Sequence, residues 1–584
     1  MIRKFIIRNL IRKFIRRNPD SFALFPLGPS QIVEIVDKLH DKNTQDINDI
    51  SVSFLKKIIY YIAEPLAHVY ELSLSQGVFP TLFKSNKTVP IYKRAGKRND
   101  MSNFRPITIV NCFSKILEKY VSDSLTNFFT EKDIISKQQF GFIQGRNTYT
   151  CLFNIIANIS KNSSNGEYTA AIFLDLAKAF DTCNHEILLE KLEAYGVRGV
   201  QLDWFKSFLT GRVQKVRVNN VWSSTFQQLK IGVPQGSVLG VLLFLVYIND
   251  MPCATSFNTI LYADDTTALL RDADINELER KCNLELKKLM DWLACNKLSL
   301  NMKKTNFIIF SPNLSVSPRL NLFFDTFGNL QPIEQIPNDD KQCVKVLGLI
   351  LDERLSLKYH VKYLISKINK SLFFLSRVRN TLNAEAKKLL YFAHVHSHLI
   401  YCLPLFTLLY KTDMNTLCRI QRKSIRMVYN VNQRYSCAEL FHDLGILPLN
   451  ILLEKEIMKI MQGIHSYRKP RDIVDFFNIT YVNHQYNFRE TLAFQIPLIK
   501  SIRLSSSPIF TFPFVFNHFP ENFKEIMERK DFREKLDMYY INRFKNPNCI
   551  KRNCKFCHYF VYKMKQLNFA ISYSSKSYSF FKYT

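Results

Sequence analysis

The sequence predicts a mixed helix-and-sheet protein, on three observations. Helical stretches dominate from Ile32 to about Ile159, broken by the apolar TVPIYK and by the turn-prone AGKRNDMSNF that leads into RPITIV. From Tyr168 short apolar runs rich in β-branched and aromatic residues, YTAAIFLD, QKVRVNN, NTILYADDTTALL, NFIIF and VKVLGLILD, alternate with the helically spaced LLEKLEAY and NELERKCNLELKKLMDWLA. Strands alternating with helices predict a sheet region with helices packed on it. Beyond Leu355, Val361, Leu364, Ile365, Ile368, Leu372 and Leu375 recur at the spacing of an amphipathic helix, so a helical unit follows the sheet. At 584 residues the chain exceeds what one hydrophobic core supports, and two to four packed units are expected.

Composition narrows the function classes. A hydrophobic fraction of 47% with 22% charged residues excludes a disordered chain and a membrane bundle. The longest apolar run, VLGVLLFLVYI from Val238 to Ile248, falls short of the roughly 18 to 20 residues of a spanning helix and is expected inside the protein. Lys and Arg total 80 against 50 Asp and Glu, a formal +30, which suits a polyanionic partner. The 13 cysteines are mostly scattered singly, without a disulfide rhythm, so a reducing intracellular compartment is expected. The acid-free start MIRKFIIRNLIRKFIRR has the composition of a transit peptide without its serine enrichment, and reads instead as a basic nucleic-acid-contacting arm or an incidental start.

Two acidic segments carry the chemistry. In AAIFLDLAKAFD an apolar strand ends at Asp175, where a carboxylate points into the crevice above a sheet; a cap on the following helix is the competing reading. In NTILYADDTTALL two apolar strands flank Tyr262, Ala263, Asp264 and Asp265, the pattern of a hairpin with an acidic tip. Asp is a common turn former, yet two adjacent charges beside such apolar strands are costly without a cation. Asp175 with Asp264 offers carboxylates from neighbouring strands, the arrangement two magnesium ions about 3.5–4 Å apart use in nucleotidyl transfer.

The ordered series FRPITIV, QQFGFIQGRNT, FLDLAKAFDTCNHEILLEKLEAYGV, GVPQGSVLG, YADD, LSLNMKKT and VLGLILD closely resembles the reverse transcriptase of non-LTR retrotransposons, the jockey-like branch in particular. The resemblance runs from about Phe25 through Asp352, and QRKSIRMVYN, LGILPL and FPENFKE resemble that family's C-terminal extension. It implies an α+β right-hand polymerase fold with fingers, a palm built on an antiparallel sheet, a helical thumb and a mostly helical extension. The corresponding regions are a basic arm over 1–24, fingers over 25–165, palm over 166–355, a thumb-like region over 356–430 and the extension over 431–584. It implies an RNA-directed DNA polymerase with two Mg2+ ions, template RNA, primer or target DNA and deoxynucleotides as partners, and work in nucleus and cytoplasm.

Residue by residue, the resemblance makes Asp175 and Asp264 metal ligands, Asp265 their acidic neighbour and the Leu176 backbone carbonyl a further donor. Phe180 matches the ring that excludes a ribose 2'-hydroxyl, and on pattern alone it is core. Gln235 and Gly236 match the contact to nucleotide or template, Lys93 and Arg105 the grip on the triphosphate with Arg146 as a further cation, and Leu347 and Gly348 the primer grip. Lys304 matches the lysine that protonates pyrophosphate, although Lys303 is its immediate neighbour. The chain departs from the family's usual Pro at Val241 and usual Trp at Phe516.

Two features stay open. Arg419, Arg422, Lys423 and Arg426 share one helical face, either solvated or tracking phosphates. Cys549, Cys554, Cys557 and His558 offer zinc ligands, but the spacing is not that of a standard finger and a basic tail is the favoured reading. A decayed or repurposed relative that binds nucleic acid without polymerising is the competing function, and an intron-encoded maturase a third.

Overall fold

The computed structural model describes residues 14–545, apart from 16, 95, 220, 314, 327–328, 339–340, 468–469, 485–486 and 499–504. Helices Pro29–Lys38 and Val52–Gln76 open the fold; the second starts where the Ser51 hydroxyl accepts from the Phe54 amide and ends at Gly77 with φ 68°. Strands β1 (Ser85–Tyr92) and β2 (Phe104–Ile109) pair antiparallel, and helices Cys112–Glu131 and Thr148–Ser164 lead into β3 (Tyr168–Asp175). Short helices from Ala179 to Leu209 precede β4 (Val213–Val218), β5 (Val221–Trp222) and β6 (Gln227–Gln228). Helix Val238–Ile248 then runs to the hairpin of β7 (Asn258–Tyr262) and β8 (Asp265–Asp272), followed by helix Ile275–Cys295. Strands β9 (Asn306–Phe310), β10 (Phe323–Thr326), β11 (Asn329–Pro332), β12 (Glu334–Ile336), β13 (Val344–Val346) and β14 (Leu349–Leu351) complete this half. The remainder is mainly helical, with β15 (Ile479–His484) and β16 (Asn487–Phe494) as its one hairpin among the described residues.

The central sheet has the order β12-β9-β3-β8-β7, antiparallel except where β12 meets β9. Strand alternation splits β3 between two cores. Ala170, Ile172 and Leu174 face helices Cys112–Glu131, Val238–Ile248 and Ile275–Cys295, while Ala171 and Phe173 face helix Thr148–Ser164 and the C-terminal helices. A sheet covered on both faces needs apolar residues at every position, which is why AAIFL reads as a continuous run. Helix Val238–Ile248 is apolar all round for the same reason and lies inside the protein, as expected.

One strand departs from the expected sheet. QKVRVNN does not join the central layer; β4 pairs parallel with β1 in a second sheet of order β2-β1-β4-β5, with β6 also on β4. Its residues are half-exposed along the strand and include Lys215 and Arg217, charges that a doubly covered layer would strand without water. The helical unit after Leu355 forms as expected in helix Lys358–Val378, which buries Val361, Leu364, Ile368, Leu372 and Leu375. Its core is continuous with that of helices Lys411–Tyr429, Leu449–Tyr467, Pro508–Asn517 and Phe532–Lys545. No helix among the described residues is long and apolar enough to cross a membrane.

Behind the central sheet a buried ion pair ties three helices. The Lys191 ammonium lies 2.5 Å from Asp250, donates to the Tyr247 carbonyl at 2.6 Å, and faces the rings of Tyr247 and Trp292. Trp292 Nε1 donates to the second Asp250 oxygen at 3.1 Å, so every charge has partners. Burial pulls the Lys191 ammonium below its usual range and the Asp250 charge opposes that pull. Asp250→Ala leaves the ammonium buried without its counter-charge and should cost about 3–5 kcal/mol in urea unfolding; a loss below ~1 kcal/mol would show the pair to be dispensable.

Candidate active site

The site is built on the register of β3 against β8. Their ladder pairs Tyr168 with Asp272 at one end and Asp175 with Asp265 at the other. Directly opposed residues share a face with Cβ atoms about 5 Å apart, so the two carboxylates emerge together at the end of the sheet. Tyr262 pairs with Asp265, which leaves Ala263 and Asp264 as the two-residue turn. The acidic tip is therefore narrower than the sequence suggested, with Asp265 already in a strand. Ala263 adopts φ 55°, a left-handed conformation costly for a residue with a Cβ. Its amide donates at 3.1 Å to Gln139 Oε1, which also accepts from the Gly141 amide at 2.8 Å.

Beyond Asp175 the backbone turns along residues 299–301. The Asn301 amide donates to the Asp175 carbonyl and the Ala177 amide to the Ser299 carbonyl, each at 2.8 Å. Leu176 faces Leu300 across this bridge, and the bridge does not use its carbonyl, which stays available to a cation. Lys304 Nζ reaches Asp175 at 3.0 Å. Burial pushes the Asp264 carboxyl up, and the Asp175 charge adds to that while Arg105 and Lys304 oppose it. Desolvation in the cleft, then the charges of Asp264 and Asp175, push Asp265 up to about 6.

These groups suit a divalent ion. Carboxylates that raise one another mark negative charge in excess of what nearby cations neutralise, and hard oxygen donors are the magnesium preference. Among the described residues no three acidic, imidazole or thiol side chains close into a ready-made cage. Magnesium takes one or two carboxylates and fills the rest of its shell with water and phosphate oxygens, so the donor set fits.

Phe180, Gln235 and Gly236, which the resemblance assigns to the nucleotide, lie on a short helix and on the segment before helix Val238–Ile248. Phe180 is half-buried and stacks on Phe244 with ring centroids 4.5 Å apart, while its carbonyl accepts from the Val233 amide at 2.8 Å. Gln235 Nε2 donates to Asp181 at 3.2 Å, and the Gln235 carbonyl accepts from the Thr108 amide at 2.7 Å. Gly236, at φ 124°, passes so close to β2 that a Cβ would stand 2.3 Å from the Thr108 carbonyl oxygen. Glycine is thus fixed by the contact of β2 with the segment that leads into helix Val238–Ile248. Ser237 caps helix Val238–Ile248 and donates to the fully buried Glu118, so the helix starts without a proline, and Val241 lies within its first turns. Arg105 and Lys93 are exposed on β2 and just after β1; Arg105 acts on Asp264 and Lys93 on Asp181 through their charges.

Leu347 and Gly348 form the β13–β14 turn with φ 44° and 87°. The Tyr401 hydroxyl donates to the Leu347 carbonyl and its ring lies against Gly348. Arg146 is not placed to grip a triphosphate: its guanidinium is spent on the Gln139 carbonyl and on Asp472, 2.6 Å away, so its charge is already used. Arg419, Arg422 and Lys423 are exposed, while Arg426 donates to the Tyr435 carbonyl at 3.0 Å. Phe516, in place of Trp, is buried edge-on to Phe494 at 4.9 Å and fills the core. Cys549, Cys554, Cys557 and His558 lie outside the described residues, as does most of the basic arm. Gln139, Tyr401 and Asp472 had no sequence signal beyond Gln139 standing in QQFGF.

This pairing of an Asp-ended strand with an Asp-tipped hairpin lies within residues 92–351, which match the family described as reverse transcriptase (RNA-dependent DNA polymerase). More particularly, the chain is similar to proteins of non-LTR retrotransposons. A probable RNA-directed DNA polymerase from transposon BS of Drosophila melanogaster is 27% identical over 73% of this chain and 47% of its own length. The RNA-directed DNA polymerase from mobile element jockey of the same species is 26% identical over 69% of this chain and 44% of its own. The Pol polyprotein of the R1 element of Bradysia coprophila is 24% identical over 53% and 29%. The chain thus spans less than half the length of these relatives.

The crowded carboxylates have a measurable cost. With its folded-state carboxyl raised to about 6, Asp265 binds a proton in the native chain at pH values where the unfolded chain has released it. Its stability contribution is therefore intact below the ordinary carboxylate range and is lost as pH rises through 6. Asp265→Asn should raise the Tm of the metal-free protein at pH 7.5 and leave it unchanged near pH 4. Screening at the exposed cleft mouth limits the gain to about 1 kcal/mol, on the order of 1 °C for a chain of this length. Equal Tm values at both pH values would refute the repulsion.

Proposed function

We propose that the chain is an RNA-directed DNA polymerase of the non-LTR retrotransposon type, extending a primer 3'-hydroxyl with deoxynucleotides along an RNA template. The observation that carries this reading is the register that opposes Asp175 to Asp265 with Asp264 at the adjoining tip. In this reading residues 25–165 are fingers, 166–355 palm, 356–430 thumb and 431–584 the extension, and the chain works in nucleus and cytoplasm where RNA and chromosomal DNA meet.

Asp175, Asp264 and the Leu176 carbonyl would hold the two magnesium ions, with Asp265 supporting the pair. When bound, the ions lower the pKa of the attacking hydroxyl and neutralise the leaving pyrophosphate. Lys93 and Arg105 bring cationic donors to the triphosphate, where charge builds in the transition state. Lys304 can pass a proton from Nζ to pyrophosphate as the P–O bond breaks, once the nucleotide draws it from Asp175. Phe180, stacked on Phe244, presents a ring too fixed to yield to a 2'-hydroxyl. Gly236 keeps the backbone low so that nucleotide and template base lie against it, with Gln235 beside them. Tyr401 steadies the Leu347–Gly348 turn that would grip the primer.

Nucleic acid has surfaces to follow. Helix Lys358–Val378 contains no acidic residue, exposes Lys362, Lys367, Lys370 and Arg377, and shows solvent Phe373 at 63% and Phe374 at 51%. On the second sheet Lys215 and Arg217 lie against the Trp222 ring at 5.9 and 5.3 Å. Cations interleaved with aromatics give charge to phosphates and stacking faces to bases. The exposed Arg419, Arg422 and Lys423 extend this basic character.

Purified protein with a primed RNA template, deoxynucleotides and Mg2+ should extend the primer, and Asp264→Ala should reduce the rate by on the order of 10²–10³-fold or more. Absence of extension by the intact chain across primers of different type would favour the binding-only reading. Extension surviving Asp264→Ala would overturn the site. Phe180→Ala should raise ribonucleotide incorporation relative to deoxynucleotide about tenfold or more; unchanged sugar selectivity would remove the gate.

A further inference from the structure

The catalytic turn is not held by its own hairpin alone. A short segment, residues 138–141, lies along β7 like a splint: the Leu261 amide donates to the Gln138 carbonyl at 2.8 Å and the Phe140 amide to the Leu261 carbonyl at 2.7 Å. At its centre the Gln139 side chain accepts from both Ala263 and Gly141. Gly141 must be glycine, because a Cβ there would lie 2.5 Å from the Ala263 nitrogen. Ala263, left-handed at the turn, has its amide held by this splint.

The splint is itself anchored from the far end of the chain. Arg146 lies over the Phe140 ring at 5.3 Å, donates to the Gln139 carbonyl, and closes an ion pair with Asp472 at 2.6 Å. Both partners are largely buried, with side chains 16% and 6% exposed, so the pair is shielded from salt and fixed in geometry. The Asp472 carbonyl accepts from Asn154 at 3.3 Å, and Phe153 packs against Phe476 and Phe477 beside it. The anchor therefore sits on a packed floor rather than on a free loop.

We propose that Asp472 is a positioning residue for the catalytic hairpin, so that the C-terminal region, through Arg146 and the Gln139 splint, sets where Asp264 stands. The path is a chain of contacts in which each member has one geometry: carboxylate to guanidinium, guanidinium to the Gln139 carbonyl, Gln139 amide oxygen to the Ala263 amide. Removing the carboxylate leaves Arg146 buried without a counter-charge, and the guanidinium must turn outward, taking its bond to the Gln139 carbonyl with it. The assignment gives the extension a part in polymerisation and deepens the polymerase reading on which its kinetic arm rests.

The test pairs an exchange measurement with kinetics, on the full chain. In Asp472→Ala the amide protons of Ala263 and Gly141 should exchange at least tenfold faster than in the parent, while amides in mid-β3 keep their protection. Primer extension should lose kcat by tenfold to a hundredfold at little-changed KM for deoxynucleotide, the signature of a misplaced reacting group. Asp472→Glu, which keeps the charge, should recover most of both. Unchanged exchange at Ala263 and Gly141 overturns the proposal, and so does a uniform rise in exchange across β3, since that marks general loss of stability. If the parent chain does not polymerise at all, the exchange result still decides the coupling, and it is the polymerase reading that fails.

Discussion

The molecule depends on one register, the pairing of β3 with β8 that ends with Asp175 opposite Asp265. Because side chains alternate with period two, a slip of one residue would send Asp175 to the face of Leu174 and bury its charge against helix Val238–Ile248. The slip is prevented by apolar demand on both faces. Ala170, Ile172 and Leu174 fill one core, Ala171 and Phe173 the other, and neither set tolerates the exchange. Packing of residues that never meet a substrate thus fixes the place of those that would.

Against this rigid wall the second sheet is held by backbone contact. The Thr108 amide bonds to the Gln235 carbonyl, and Gly236 lies against the Thr108 carbonyl at a distance no side chain permits. Arg105 rides on the same strand three residues away, so the junction of β2 with the segment before helix Val238–Ile248 also brings a cation toward Asp264. Lys304 enters from a third direction, on the turn that leads into β9. The positive groups therefore come from elements outside the central strands, while the carboxylates stand at the end of β3 and on the β7–β8 hairpin.

Much of this was legible in the sequence, for identifiable reasons. Asp175 and the Asp264, Asp265 pair interrupt strongly apolar strands, and an interruption of that kind is a local signal. The long amphipathic helix at Lys358–Val378 follows from spacing alone. The placement of β4 was not legible, because a half-exposed strand with alternating charges reads the same whichever sheet it joins. The ion pair of Arg146 was not legible because its partner Asp472 lies in a distant part of the chain, and no local pattern joins the two. Tyr401 escaped for the same reason: its hydroxyl matters only through the Leu347 carbonyl that folding brings to it.

The double covering of β3 also bears on how such a chain reaches its native state. One face of the strand is completed by helices made before it and shortly after it, whereas the other draws on residues as far along as Tyr540. During synthesis helix Thr148–Ser164 can cover part of the Ala171 and Phe173 face, but the rest of that face is completed only when residues as far along as Tyr540 have emerged. Contacts of such long sequence separation slow folding and leave sticky intermediates. A protein arranged in this way is expected to lean on chaperones, and to yield poorly when produced as its N-terminal portion alone.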